Sequence, residues 1–229
     1  MRGATPARAF TLLHELGVEE VPVTLPTPLI PPDSEDHLRH QLLAAGVGDH
    51  EPIILLAPAA PPAFAWPAEH WEVLAALLAE DRPEVIAVLD GGDLHLPDRA
   101  VPLETPDDPA ALLALLTRAV LVVAPDTALL HLATLTSTPT VALYGPTSPE
   151  GCALPGAAGL SLCAKPDCHP CDAQACKDRH CLRDLAPAEV FGAIAMVQAH
   201  DDNASYEIGH HNAAVSHHLA FHAHVQDAP

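Results

Sequence analysis

Four short apolar runs, at residues 53–57, 85–89, 120–124 and 140–144, restrict what this chain can become more than any other feature. Each is uninterrupted rather than alternating, as expected of strands covered on both faces, which is the condition of a parallel sheet. Between them lie stretches with helical character. Residues 66–80 open on Trp66-Pro67, with proline in the first turn, and residues 107–118 open on Asp107-Asp108-Pro109. From residue 52 the order is strand, helix, strand, helix, strand, helix, strand, which predicts an α/β fold with a right-handed, Rossmann-like parallel sheet and helices on both faces. Neither a GxGxxG turn nor a GKS/GKT loop is present, so an ordinary nicotinamide-dependent enzyme or P-loop nucleotidase is not expected.

Thirty acidic against ten basic residues give a formal charge of −20, which opposes nucleic acid and anionic membrane surfaces as partners. The most apolar stretch, residues 110–135, is interrupted by Arg118, Pro125 and Asp126 and reads as helix, strand and helix rather than a transmembrane segment. No apolar run follows Met1 as a leader would require, so the cytoplasm is the expected setting.

Residues 125–149, PDTALLHLATLTSTPTVALYGPTSP, hold the densest pattern. Asp126 and Thr127 suit a helix start, and the apolar helix that follows carries His131 about one turn in. Backbone N–H groups at such a start point outward with partial positive charge and suit a phosphate or diphosphate. Pro139 ends the helix, and residues 140–144 form a strand closed by Gly145-Pro146. On the residues alone, Asp126 as a simple helix cap, His131 as a core histidine and Asp93 as a solvated turn aspartate remain open.

This stretch resembles the signature of the lipopolysaccharide heptosyltransferase family, Asp-(Ser/Thr)-Gly-x-x-His and then Pro-x-x-x-(Leu/Val)-(Tyr/Phe)-Gly-Pro-(Thr/Ser). Here the pattern reads Asp126 to His131 and Pro139 to Thr147, with Trp66-Pro67 upstream and Cys168-His169-Pro170-Cys171 downstream in the family's order. The resemblance implies the C-terminal, donor-binding domain of a GT-B type glycosyltransferase, which takes heptose from ADP-heptose for transfer to lipopolysaccharide core. It implies donor contacts at Asp126, Thr127, Ala128 and His131, with Asp93 as the acidic residue nearest the position that holds the ribose. It places the catalytic base on an N-terminal acceptor domain, so no catalytic residue is expected within this chain, and transfer by the chain alone is not expected. Ala128 stands where the family has glycine, Phe64-Ala65 where it has a lysine or arginine, and Pro58 to Pro62 replace a small polar loop. These departures keep a second reading open, a non-catalytic remnant or interaction module with a structural thiolate-metal site.

The expected organisation is a linker and helix remnant over 1–50, the donor domain over 51–200 with a cysteine-rich segment at 163–182, and a histidine-rich extension over 201–229. Within the first part, residues 9–16 read as a short helix, and a second helix runs from Asp33 or Ser34 to about Ala45, stopped by Gly46. Cys168, Cys171, Cys176 and Cys181 fall within fourteen residues and could form a thiolate site for structural zinc or iron. Unligated or oxidisable thiols are the alternative, and no cofactor is expected for the chemistry itself. Residues 200–229 hold seven of the sixteen histidines without sustained periodicity.

Overall fold

The computed structural model describes residues 28–149, 158–164, 168, 176 and 178–207, with side chains as far as residue 199. Residues 9–16, Cys152, Cys171 and the tail after residue 207 lie outside the described residues. Six strands form one sheet in the order β3-β2-β1-β4-β5-β6. These are β1 (Ile53–Leu56), β2 (Val85–Leu89), β3 (Ala100–Leu103), β4 (Ala119–Pro125), β5 (Thr140–Leu143) and β6 (Gly159–Leu162), and every pairing is parallel. The helices are α1 (Pro32–Ala44), α2 (Ala68–Asp81), α3 (Pro109–Arg118), α4 (Ala128–Leu135), α5 (His180–Arg183) and α6 (Pro187–Glu207).

The side chains of each strand alternate between two cores, as strand geometry requires. Ile54, Leu56, Ile86, Val88, Leu121, Val123, Val141 and Leu143 face α2 and α6, meeting Trp71, Leu74, Leu78, Val190 and Ile194. Ile53, Leu55, Ala87, Leu89, Val122, Ala124 and Ala142 face the other way, toward Leu38 and Leu42 of α1, Leu115 of α3 and Leu130 of α4. Both faces are covered by helices, which explains why the strands read as unbroken apolar runs. The order reverses between β1 and β4: from β1 the chain moves outward through α2 to β2, and from β4 it moves the opposite way through α4 to β5. Right-handed crossovers that advance in opposite directions place their helices on opposite faces, leaving a crevice where the two strands diverge.

Two strands extend the sheet beyond the sequence-based expectation. β3 is an edge strand containing Pro102, whose missing N–H is tolerated because an edge strand needs partners on one side only. β6 occupies the other edge, half exposed, in a segment that read as irregular. The helix expected to end near Ala45 is α1, and Gly46 follows it at φ +86°. Leu38 and Leu42 are buried at 5% exposure, so this helix is part of the folded body although it was assigned to the linker. Asp108 caps α3, accepting from Ala110 N–H at 3.0 Å. A hydrogen bond from the Ser34 side chain, reinforced by Ala110 N–H, holds the Asp108 carboxyl below its ordinary pKa and ties α1 to α3. Among the described residues no helix is long and apolar enough to cross a membrane.

Candidate functional site

The crevice between β1 and β4 opens at the carboxyl ends of the strands, where open α/β sheets hold their ligands. Asp126 is the first residue beyond β4, and its backbone N–H donates to Leu143 O at 3.2 Å. Its side chain is not the cap of α4. The capping position belongs to Thr127, at φ −134° and ψ 172°, which makes no side-chain capping bond. Asp126 instead accepts a hydrogen bond from the Thr147 hydroxyl at 2.6 Å through Oδ2, while Oδ1 lies 3.7 Å from His131 Nε2. The carboxylate is 9% exposed and the His131 side chain 38%. The two halves of the sequence pattern, separated by 21 residues from Asp126 to Thr147, therefore meet at one carboxylate. A buried acid satisfied in this way fixes the turn after β4 against the turn after β5 and orients the first turn of α4.

Thr127 and Ala128 line a cavity of about 270 Å³ with Ala57 and Ala59 beyond β1, Leu89 and Asp90 at the end of β2, and Thr105 beyond β3. Its wall is largely apolar, completed by Leu112, Leu129 and Leu132. The uncapped N-terminus of α4 thus stands at one end of an apolar recess, a combination able to hold an anion and a flat ring together.

Of the expected donor residues, Thr127 and Ala128 line the cavity, whereas Asp126 and His131 face each other at the turn after β4 and are not among its lining residues. Asp93 is exposed and does not line the cavity. The acidic residue that does is Asp90, held at φ +49° while its carboxylate accepts from Thr105 N–H at 2.8 Å and from the Thr105 hydroxyl at 2.5 Å. The signal for it was available in the sequence, since Asp90 directly ends the run at 85–89, the place where a dinucleotide-binding sheet carries its ribose acid.

Trp66 belongs to the core. It is 2% exposed, stacks edge-on with Trp71 at 4.9 Å, and donates from Nε1 to Leu185 O at 3.0 Å. Its loop, residues 58–65, is also tied to the cysteine-rich segment by Arg179, whose guanidinium donates to Pro62 O at 2.8 Å. Cys168 is exposed, Cys176 is half-buried with its Sγ accepting from Arg179 N–H at 3.4 Å, and Cys181 is buried. Among the described residues no three His, Cys, Asp or Glu side chains gather into a metal-holding group. A larger cavity of about 500 Å³ lies between α1 and α3. It sits at the opposite, amino-terminal end of the strands, where Arg39 pairs with Asp49 at 2.7 Å and Arg118 donates to Asp49 O.

Residues 108–181 match the family description "Glycosyltransferase family 9 (heptosyltransferase)". No curated protein matches the chain. Among solved structures, E. coli ADP-heptose lps heptosyltransferase II is similar at 19% identity and TM-score 0.63, over 81% of this chain and 57% of its own length. A family 9 glycosyltransferase from Veillonella parvula is similar at 16% identity and TM-score 0.67, over 87% of this chain and 61% of its own. The dodecameric iron-containing heptosyltransferase TibC, solved in complex with ADP-D-beta-D-heptose, is similar at 20% identity and TM-score 0.53, over 69% of this chain and 48% of its own. The chain therefore spans less than two thirds of the length of these proteins. The resemblance to heptosyltransferases holds in sequence over residues 108–181 and in fold over the sheet and its helices, and the fold is the Rossmann-like one shared with GT-B type enzymes.

Proposed function

We propose that this chain is the donor-binding domain of a heptosyltransferase-like glycosyltransferase, and that it holds ADP-heptose for transfer into lipopolysaccharide core. The observation that carries this reading is the joining of the two halves of the pattern through Asp126 and Thr147, beside an uncapped α4 and an apolar recess. In the proposed complex the adenosine lies in the recess, with Asp90 toward the ribose, and the diphosphate lies on the N–H groups that open α4. The charge that develops on the departing diphosphate is then met by the helix N-terminus, by Thr127 and by His131 as a hydrogen-bond donor. In this reading the acceptor and the base that deprotonates it belong to a second domain, and the domain described here supplies donor binding rather than proton transfer. The reading sets the reaction in the cytoplasm. TibC, bound to ADP-D-beta-D-heptose, supports the choice of donor by likeness of fold.

A nucleotide diphosphate sugar that binds only the folded chain is expected to raise its melting temperature, since ligand at a hundredfold excess over its Kd adds about 2.7 kcal/mol. Ala128→Gly removes a methyl from the first turn of α4, and Ala65→Lys adds a cation to the loop after β1; both are expected to enlarge the shift with ADP-sugar. His131→Ala is expected to reduce it. Each variant is read against its own ligand-free melt, because glycine within a helix costs up to about 1 kcal/mol. If neither the natural chain nor the double variant responds to ADP-sugar at millimolar concentration, the donor assignment fails and the non-catalytic remnant takes its place.

A structural metal is a separate proposal. TibC is iron-containing, and Cys168, Cys171, Cys176 and Cys181 have the chemistry of a thiolate site for zinc or iron. Cys168, Cys176 and Cys181 do not by themselves form a ligand group among the described residues, and no step of donor binding depends on a metal. Elemental analysis of untagged protein lacking the tail after residue 200 is expected to give about one zinc or iron per chain. Metal that persists after all four cysteines are replaced by serine would overturn the assignment.

A further inference from the structure

Asp90 and Thr105 meet at the β2 side of the crevice, and the bonds between them fix what the carboxylate can still accept. Thr105 N–H donates to Oδ1 at 2.8 Å and the Thr105 hydroxyl to Oδ2 at 2.5 Å. An ionised carboxylate offers about four acceptor positions and no donor, so one position on each oxygen stays open. Both residues are exposed, and both line the cavity that reaches Thr127 and Ala128. A group that uses the open positions must bring two donors to adjacent oxygens, which a vicinal diol does and a phosphate does not. β1 lies between β2 and β4 in the sheet, so the ends of β2 and β4 stand two strand spacings, about 10 Å, apart. The carboxylate disfavours an anion at its own end of the cavity and leaves the α4 end for one.

The Thr105 hydroxyl is not what holds its turn. Leu103 O accepts from Asp90 N–H at 2.9 Å, continuing the register in which Leu89 pairs with Leu103. Glu104 O accepts from Gln41 Nε2 of α1 at 2.8 Å. Asp108, at the far end of the turn, accepts from Ala110 N–H and from the Ser34 side chain. α1 therefore braces residues 104–108 at both ends, and Thr105 N–H adds a backbone tie that any residue except proline would make. Nor does the turn at Asp90 require an acid, since its φ of +49° is one that glycine adopts without strain. With both turns held by other bonds, the contact between hydroxyl and carboxylate has the orientation of the carboxylate as its effect.

We propose that Thr105 is the positioning residue of the ribose subsite: its N–H and hydroxyl fix the plane of the Asp90 carboxylate, so that the two open acceptor positions select a ligand carrying both the 2′- and 3′-hydroxyls. This rests on the donor-domain reading and adds to it a preference for ribonucleoside over deoxyribonucleoside diphosphates, together with the residue that sets it. Without the hydroxyl the carboxylate keeps a single tie, at Oδ1, and turns about it, so two ligand hydroxyls no longer find both oxygens already in place.

The test is calorimetric titration of the full chain with ADP and, separately, with 2′,3′-dideoxy-ADP, comparing the parent with Thr105→Val, Thr105→Ser and Asp90→Asn. The parent is expected to bind ADP about tenfold or more tightly than the dideoxy compound, as hydrogen bonds to a charged group imply. Thr105→Val keeps the side-chain shape and the backbone N–H. It is expected to cut that preference about fivefold, with the loss on ADP and the dideoxy affinity within about twofold of the parent's. Thr105→Ser, which keeps the hydroxyl, is expected to restore the preference, and Asp90→Asn to remove most of it. The ligand-free melting temperature of Thr105→Val is expected to stay within about 2 °C of the parent's. Equal weakening of both nucleotides by Thr105→Val, or a fall in stability with the preference unchanged, would make Thr105 a structural tie and overturn the proposal. A parent that binds both nucleotides equally overturns it while leaving the donor reading intact. A parent that binds neither overturns both.

Discussion

Gly159→Ala is expected to lower the melting temperature by about 6–12 °C, the size of shift that about 3 kcal/mol produces in a domain of this length. Gly159 opens β6 at φ +123°, a region open to glycine and strongly disfavoured for alanine. The obstruction is also steric: a Cβ there would lie 1.9 Å from Thr140 O and 2.7 Å from Thr140 N. Neither atom is free to retreat. Thr140 N–H and its hydroxyl both donate to Ala158 O, at 2.9 and 3.0 Å, and Thr140 starts β5 inside the sheet. The expected outcome is detachment of the start of β6, with loss of the packing of Leu160 and Leu162 on the core beneath. Thermal and urea unfolding of the variant measure it. A fall in melting temperature below about 2 °C would show that the edge strand contributes little to the stability of the sheet.

The second large effect is expected at Trp66. Trp66→Ala removes a fully buried indole and should cost about 3–5 kcal/mol. Trp66→Phe keeps most of the volume but leaves Leu185 O without its donor, which should cost about 1–3 kcal/mol. Both losses should appear in stability alone, because Trp66 lies outside the cavity lined by Thr127 and Ala128. At temperatures where each variant stays folded, its ADP affinity should match the parent's. A variant that keeps its melting temperature but loses ADP would identify the indole as a ligand contact.

Much of the sheet was legible in the sequence because its central strands are covered on both faces, and burial of that kind writes unbroken apolar runs. The edges are covered on fewer sides and write weaker signals. β3 carries Pro102 in the middle of a four-residue strand, and β6 reads Gly-Leu-Ser-Leu, too short and too polar to stand out from a loop. α5 is a single turn and leaves no periodicity to detect. At the site, the grouping of Asp126, Thr127, Ala128 and His131 follows from their adjacency in one turn and helix. The role of the Asp126 side chain does not, because a helix cap and an acceptor for Thr147 look alike until the turn after β5 is placed beside it. Asp93 was singled out by resemblance, as the acid nearest the position that holds the ribose, whereas Asp90, in a left-handed turn at the end of β2, is the acid that lines the cavity. The tie between Arg179 and Pro62 was not legible for a related reason, since it joins positions 117 residues apart.

The seating of Leu182 against Gly145 also has a kinetic meaning. Leu182 and Leu185 belong to the same buried cluster as Val190 and Ile194 of α6, while their outer contacts are the turn after β5 and the indole beneath the β1 loop. The helix α6 cannot lift from the sheet without withdrawing the plug from that turn and breaking the indole hydrogen bond. Fraying of α6 and opening of the crevice are thereby joined into one cooperative exchange unit. In hydrogen exchange, the inner turns of α6 should gain protection together with the amides of residues 144–147 when a ligand occupies the crevice, although no α6 residue lines the cavity there.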